Sequence, residues 1–406
     1  MHLGTYRRIG YRMVLALLLI SLTGCWNRRE LNEISTVLAM GIDRADGQYE
    51  VSVQVVDPIQ MSQKSNTQRS ATIVYSEKAP TLFEALRKST TSAPRRMYLS
   101  HMTFLLFDET VAREGIKQTL DFLLRDHEVR PDFNMAVARE YSAKQMLSLV
   151  TPMEVLPAMD LMKSLRVSAK AWAPTSAVNV VSMMQMLTKD GLEPILTGLT
   201  IAGDAKKGIT SKNVAQPATF ANFKYQGIGV FRDDRLLGWL NESDSKSYAY
   251  ITNHVTSTVA NVTCMDSDDK FVVEVLGAKT KMQPSIRSGK PYMTMKIDVR
   301  ANVGEMHCMM DLSKPKDMYK LQTEAAKRLN QVIMSGIRHV QQRYGVDIYG
   351  FGEAFHRKYP KDWHRWKADW NQRFEDMPVE IQIHYQLGKF GKIISPFDNS
   401  PETRKE

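Results

Sequence analysis

The sequence predicts an α+β chain of mixed α/β content and several domains, with antiparallel or mixed sheets and packed helices behind an export signal. Three observations predict it. Segments such as Tyr49–Val56 alternate apolar and polar residues between turn residues, the period of a half-buried strand. Residues 315–344 repeat apolar side chains every three or four positions, the period of a helix face. The two kinds of segment interleave along 406 residues, a length that suits two or three domains.

The elements follow in order. Ser35–Ile42 reads as a strand, Asp43–Gly47 as a turn and Tyr49–Val56 as the hairpin partner. A polar loop at Met61–Ser70 leads to a strand at Ala71–Ser76. Thr81 with Glu84 forms a capping-box pattern that starts a helix reaching Ser89. His101–Phe107 is a buried strand. Glu109–Arg125 carries helical spacing at Val111, Ile116, Leu120 and Leu124, and Phe133–Ala138 is a strand. Three more helices are expected near 142–150, 153–166 and 175–189.

Gly203–Ala218 is rich in Gly, Lys, Ser and Asn, and the domain boundary is placed there. Beyond it, Phe220–Phe231 and Leu236–Leu240 flank Asp233-Asp234 as a hairpin. Long alternating strands are expected near 250–264, 270–283 and 291–307. A helix from Pro315 to Tyr344, with Ser313 as its cap, presents Met318, Leu321, Ala325, Leu329, Val332, Gly336 and Val340 as one stripe. Ile381–Leu387 is a closing strand. The expected divisions are a signal peptide (1–24), an N-terminal α+β domain (25–205), a C-terminal α+β domain (219–394) and a loose polar tail (395–406).

The first residues set the compartment. Arg7, Arg8 and Arg12 precede a ten-residue apolar run, Met13–Leu22, about half of the roughly 20 residues a spanning helix needs. Leu22-Thr23-Gly24-Cys25 then resembles a bacterial lipobox. That chemistry places a diacylglyceryl group on the Cys25 thiol, cuts the chain between Gly24 and Cys25, and acylates the new amine. A single acyl chain holds a protein marginally, whereas two or three hold it firmly. The expected location is therefore lipid-anchored on the extracytoplasmic face of a membrane.

Hydrophobic residues make up 43% and charged residues 24%, which excludes a disordered chain, a collagen-like fibre and a multi-span membrane protein. The formal charge of +10 falls to +7 without Arg7, Arg8 and Arg12. Residues 313–373 hold 13 basic and 6 acidic side chains, which places that whole excess in one region able to meet anionic headgroups or partners. Nucleic acid is not an expected partner of an exported, tethered protein.

Motifs for catalysis are missing: no GxxxxGK[ST], HExxH, CxxC pair or GxSxG occurs. Gly227-Ile228-Gly229 lies inside a strand and reads as close packing or a bulge. The histidines, His339, His356, His364 and His384 among them, show no ligand spacing. No catalytic residue, metal or cofactor is expected. The charge run Arg125–Arg130 reads as a solvated face or a local salt-bridge cluster. Cys264 and Cys308 lie late in candidate strands and read as free buried thiols, with a disulfide as the alternative. Trp363, Trp366, Trp370 and Phe374 recur at three, four and four. They form either a partner or membrane face or, on the plainer reading, the packed face of a helix on the C-terminal sheet.

Ordered short motifs then point to a family. They are Gly24-Cys25-Trp26 with Arg29-Glu30-Leu31, Gly41-Ile42-Asp43, Tyr98-Leu99-Ser100-His101, and Arg125-Asp126 with Arg130-Pro131. Gly229-Val230-Phe231, Leu237-Gly238-Trp239-Leu240 and Asp362-Trp363 follow. Together with the lipobox they resemble the Ger(x)C spore-germination lipoproteins, the C subunits of nutrient germinant receptors. One stretch, NESDSKSYAYIT after Leu240, is more polar than in that family. The resemblance implies several α/β domains of unusual topology in a non-enzymatic subunit on the outer face of the spore inner membrane. That subunit would work with an A subunit and a polytopic B subunit in a complex that responds to amino acids, sugars or nucleosides. Only Cys25 carries over as a chemically defined site. The alternative reading is a lipid-anchored extracytoplasmic solute-binding protein, which requires two similar lobes around a ligand cleft. An envelope hydrolase is a third, opposed by the missing nucleophile and metal motifs.

Overall fold

Asp46 and Gly47 both sit at positive φ, 54° and 76°. That is the backbone of a two-residue turn whose twist suits a hairpin, and it folds β1 (Ile34–Ala45) onto β2 (Gln48–Val56) in the expected antiparallel register. The computed structural model describes residues 10–13, 33–61, 70–265 and 267–388. From this hairpin a large mixed sheet extends in both directions.

β3 (Thr72–Ala79) pairs antiparallel with β2 at one edge. On the other side β1 is followed by β5 (Phe104–Asp108), β6 (Asn134–Ala138) and β8 (Ile195–Gly203), all parallel. Strands covered on both faces need no polar side, and β5 and β6 are accordingly runs of buried residues. Two short strands, β4 (Arg96–Tyr98) and β7 (Val178–Asn179), pair with β1 and β6. β9 (Ala221–Arg232) returns antiparallel along β8, and β10 (Arg235–Trp239) finishes the sheet.

Several expectations are met with adjusted ends. Thr81 caps the helix Leu82–Lys88 by accepting from the Glu84 amide. The span 109–125 is two helices, Glu109–Glu114 and Lys117–Arg125, because Gly115 breaks it at φ 129° and Ile116 donates to the Asp234 carbonyl instead. Helices near 142–150, 153–166 and 175–189 are present as Ala143–Leu147, Pro157–Ala171 and Val180–Thr188.

Two regions hold elements that the sequence reading does not predict. The first adjoins the loop at 203–218. Strand β8 was not foreseen, and β9 pairs with it from Gly203↔Ala221 to Ile195↔Val230. The Gly/Lys-rich loop therefore joins two neighbouring strands of one sheet, and β9 and β10 complete the first sheet. The second concerns residues 250–264. Asn241 caps a helix, Glu242–Ile251, through Oδ1 to the Asp244 amide at 2.9 Å, and the strand β11 is confined to Thr258–Thr263. The apolar run Tyr248–Ile251 is buried as helix rather than strand.

The second sheet has the order β11-β12-β13-β14. β12 (Lys270–Arg287) and β13 (Lys290–Met306) make a long hairpin turned by Ser288 and Gly289 at φ 49° and 76°. β14 (Val379–Leu387) adds in parallel to β13. The helix Pro315–Arg343 carries the expected stripe of Leu321, Ala325, Leu329, Gly336 and Val340, with Ile333 rather than Val332 fully buried. Ser313 is not its cap. Lys314 holds that position without a side-chain bond, while Ser313 bonds to Asp311. The helix packs on Glu242–Ile251 so closely that Ser247 donates to the Ile333 carbonyl at 3.2 Å. One continuous buried cluster runs through both sheets, and a smaller one lies beneath helices 143–147 and 157–171.

Candidate functional site

The two lobes meet along the segment 186–194, which leads into β8. The Glu193 amide donates to the Asp347 carbonyl at 2.8 Å. The Glu193 carboxylate accepts from the Asp233 amide at 2.7 Å and from Asn371 Nδ2 at 3.3 Å. Burial pushes its carboxyl above the ordinary range. Arg232 adds a bond to the Tyr344 carbonyl at 3.0 Å, and Tyr344 donates back to the Trp239 carbonyl at 2.9 Å.

Opposite this segment, Asp347 organises the loop that starts the helix Phe351–Lys358. Its Oδ1 accepts from the amides of Tyr349, Gly350 and Phe351 at 3.0, 2.9 and 3.2 Å. Its Oδ2 accepts from the Gly352 amide at 2.7 Å and from Trp370 Nε1 at 3.0 Å. Full burial pushes its carboxyl up to about 6 even though these donors favour the charged form. Five donors on one buried carboxylate make it an architectural group holding loop and helix start together.

The aromatic residues singled out by spacing converge here. Trp363, Trp366, Trp370 and Phe374 are 2%, 7%, 3% and 0% exposed. Trp363 and Trp370 meet edge to face with centroids 5.1 Å apart, and Phe355 packs on both Trp366 and Trp370. The partner or membrane face is thereby corrected: these side chains are interior. Nor do they share one helix, since the chain runs as Pro360–Trp366, a 3-10 turn at Lys367–Asp369, and Trp370–Glu375. They pack on each other and on the helix 351–358.

Cys264 and Cys308 form a disulfide with Cα atoms 5.7 Å apart, which corrects the free-thiol reading. Thr263 pairs with Lys270 and Met306 with Phe271, so the bridge joins the two strands that flank the start of β12. Gly24 and Cys25 lie outside the described residues. The run 125–130 is a salt-bridge cluster, with Arg125 on Asp121 at 2.8 Å and Arg96 on the buried Glu128 at 3.0 Å. Gly227 sits at φ 71°, where a Cβ would stand 2.6 Å from the Leu240 carbonyl oxygen, the close packing expected of it. His339 Nδ1 lies 2.5 Å from Asp244 Oδ2, and His356 stacks on Trp363. Among the described residues no group of three or more His, Cys, Asp or Glu is arranged to hold a metal ion.

Sequence reasoning missed a cleft of about 490 Å³ between the lobes. One wall is residues 176–192; the other is built from 248–254, from Thr280 and Met282, and from 348–357. Lys189 and Glu353 reach across it at 3.3 Å. His254 stacks on Tyr248, and its Nδ1 lies 2.8 Å from Thr252 Oγ1. Burial holds its imidazole below the ordinary range. No local motif announces this cleft, because its walls come from separate parts of the chain. The lobes themselves are unlike: among the described residues a ten-stranded mixed sheet stands against a four-stranded one. The paired, similar lobes that the solute-binding alternative requires are not what the chain forms.

Comparison with known proteins agrees with this architecture. Residues 27–201 match the family described as spore germination protein N-terminal domain, and residues 226–391 match spore germination B3/GerAC like, C-terminal. Spore germination protein KC of Bacillus subtilis is 27% identical over 95% of this chain and 96% of its own length. Spore germination protein B3 of the same organism is 21% identical over 94% and 97%. The crystal structure of the GerBC protein shares the fold, with a TM-score of 0.55 at 17% identity over 86% of this chain and 97% of that one. The expected resemblance is thus met along both lobes, and the chain belongs to the Ger(x)C family of spore germination proteins.

Proposed function

We propose that the chain is the lipid-anchored C subunit of a nutrient germinant receptor, a non-enzymatic assembly subunit at the outer face of the spore inner membrane. The observation that carries this reading is order: a Leu-Thr-Gly-Cys lipobox stands directly ahead of two consecutive germination-protein domains that span nearly all of the remaining chain. Among the described residues no helix is long and apolar enough to cross a membrane, so acyl chains on Cys25 are the attachment this reading calls for. Confinement beside an A subunit and a polytopic B subunit raises effective concentration, which lets weak faces assemble. With the tryptophans interior, the docking surface falls to the basic outer faces of residues 313–373.

The test is deletion of the gene in its spore-forming host, with nutrient panels scored for germination and crosslinking in spore membranes. The expected result is loss of response to a defined nutrient set and crosslinks from region 313–373 to the A or B subunit. Unchanged germination on every nutrient would refute the receptor role, and crosslinks confined to other regions would refute the docking surface.

A further inference from the structure

We propose that the cleft between the lobes is a binding site for a small solute bearing a single carboxylate. The volume, about 490 Å³, lies within the roughly 300–1,000 Å³ of small-molecule sites. Its position between two lobes is also where such sites concentrate. The chemistry of the walls selects the ligand. Arg357 lines the cleft and makes no ion pair among the described residues. A guanidinium free of an acid partner is a fork matched to a carboxylate. The other cation, Lys189, is already committed to Glu353 at 3.3 Å. One available positive charge beside a fixed carboxylate favours a monoanion and disfavours phosphates of higher charge.

Other side chains supply the rest. Gln185 lines the cleft with Lys189, and so does His254, whose Nδ1 lies 2.8 Å from Thr252 Oγ1. Tyr248, Met282 and Ile348 add apolar lining for the body of the solute. The cleft is too small for a folded partner.

The experiment uses the full chain in detergent micelles and saturation-transfer NMR. The probes are acetate, lactate, glucuronate and the free amino acids, each beside its uncharged amide. At least one carboxylate is expected to bind saturably at millimolar concentration or below. Its amide, and the same carboxylate with Arg357→Gln, should each bind at least about tenfold more weakly, the scale of one lost charge-assisted contact. Ser182→Trp, which fills the cleft from a half-buried position, should abolish binding. Arg357 is exposed, so its variant should melt with the parent; Ser182→Trp is checked by its melting curve. No saturable probe, equal binding of acid and amide, or binding that survives both substitutions would overturn the proposal. None of these outcomes bears on germination of the deletion strain, so the receptor role stands or falls separately.

Discussion

Gly191 and Gly352 lie back to back across the lobe junction: a methyl group built on Gly352 would stand 2.7 Å from the Gly191 Cα, nearer than real side chains approach. The same group on Gly191 would meet Trp363 at 2.5 Å. Gly191 also holds φ 78°, a conformation that L side chains rarely adopt. Two chain segments from different lobes can touch here only because neither carries a Cβ.

Gly352→Ala should therefore destabilise the protein by about 1–3 kcal/mol through overpacking. Gly191→Ala should cost more, since backbone strain adds to the clash. Urea unfolding followed by tryptophan fluorescence measures both. A midpoint unchanged in either variant would show that the lobes are not pinned at this point.

The disulfide makes a second prediction. Cys264 and Cys308 are separated by 44 residues in sequence, and closing a loop of that length restricts the unfolded chain by about 4 kcal/mol in the chain-entropy model. Replacing both by alanine should lower stability by about 2–4 kcal/mol, with the unfolded state rather than the core responding. Thiol titration of the denatured, unreduced protein should find neither cysteine reactive. Two reactive thiols on protein isolated from spores would contradict the bridge.

These cysteines also show where local reading stops. Both lie just past strand ends, and only the registers Thr263↔Lys270 and Phe271↔Met306 bring them together. The first hairpin was legible because Asp46-Gly47 encodes its own geometry. The helix 315–343 was legible from its stripe. Strand β8 was not, since Gly198 interrupts its apolar run; there a Cβ would strike the Gln226 carbonyl of β9. Tyr248–Ile251 is an apolar run too short to separate a strand from the end of a capped helix. The tryptophan spacing suits a docking face and a core equally, and the surroundings, Phe355 and Asp347, decide for the core. The cleft was illegible for the same reason: residues such as Lys189 and Glu353 become neighbours only through the fold.

A third prediction follows from Asp43, which accepts from the Ala143 and Lys144 amides at 2.6 and 2.9 Å. Burial pushes its carboxyl from 3.8 up to about 6. The folded state thus binds the proton more tightly than the unfolded one. The associated stability is full below about pH 4 and is lost as pH rises through about 6. Asp43→Asn removes this titration while keeping an acceptor over the helix start. Relative to the parent, its unfolding free energy should shift in the variant's favour by about 2 kcal/mol between pH 4 and pH 7. Urea midpoints measured across that range test it, and two parallel profiles would show that Asp43 is already ionised at pH 4.

The anchoring step makes the last prediction. A single acyl chain gives marginal, reversible membrane binding, and the proposed modification supplies two or three on one residue. Cys25→Ala removes all of them at once, because the thiol is the point of the first attachment and that attachment precedes cleavage. The body it releases should still fold: Gly191, Gly352, Asp347 and the disulfide all lie beyond residue 190, and the first described strand begins at Ile34. Fractionation of dormant spores should then move the protein from the membrane to the aqueous fraction, or leave it held by its uncleaved signal. Where the protein is released, the nutrient response should weaken as effective concentration at the partners falls. Quantitative blotting of the fractions, mass spectrometry of the mature amino terminus and a germination time course read the three consequences independently. A Cys25→Ala chain that is cleaved, stays with the membrane and responds at the parental rate would locate the attachment elsewhere in the molecule.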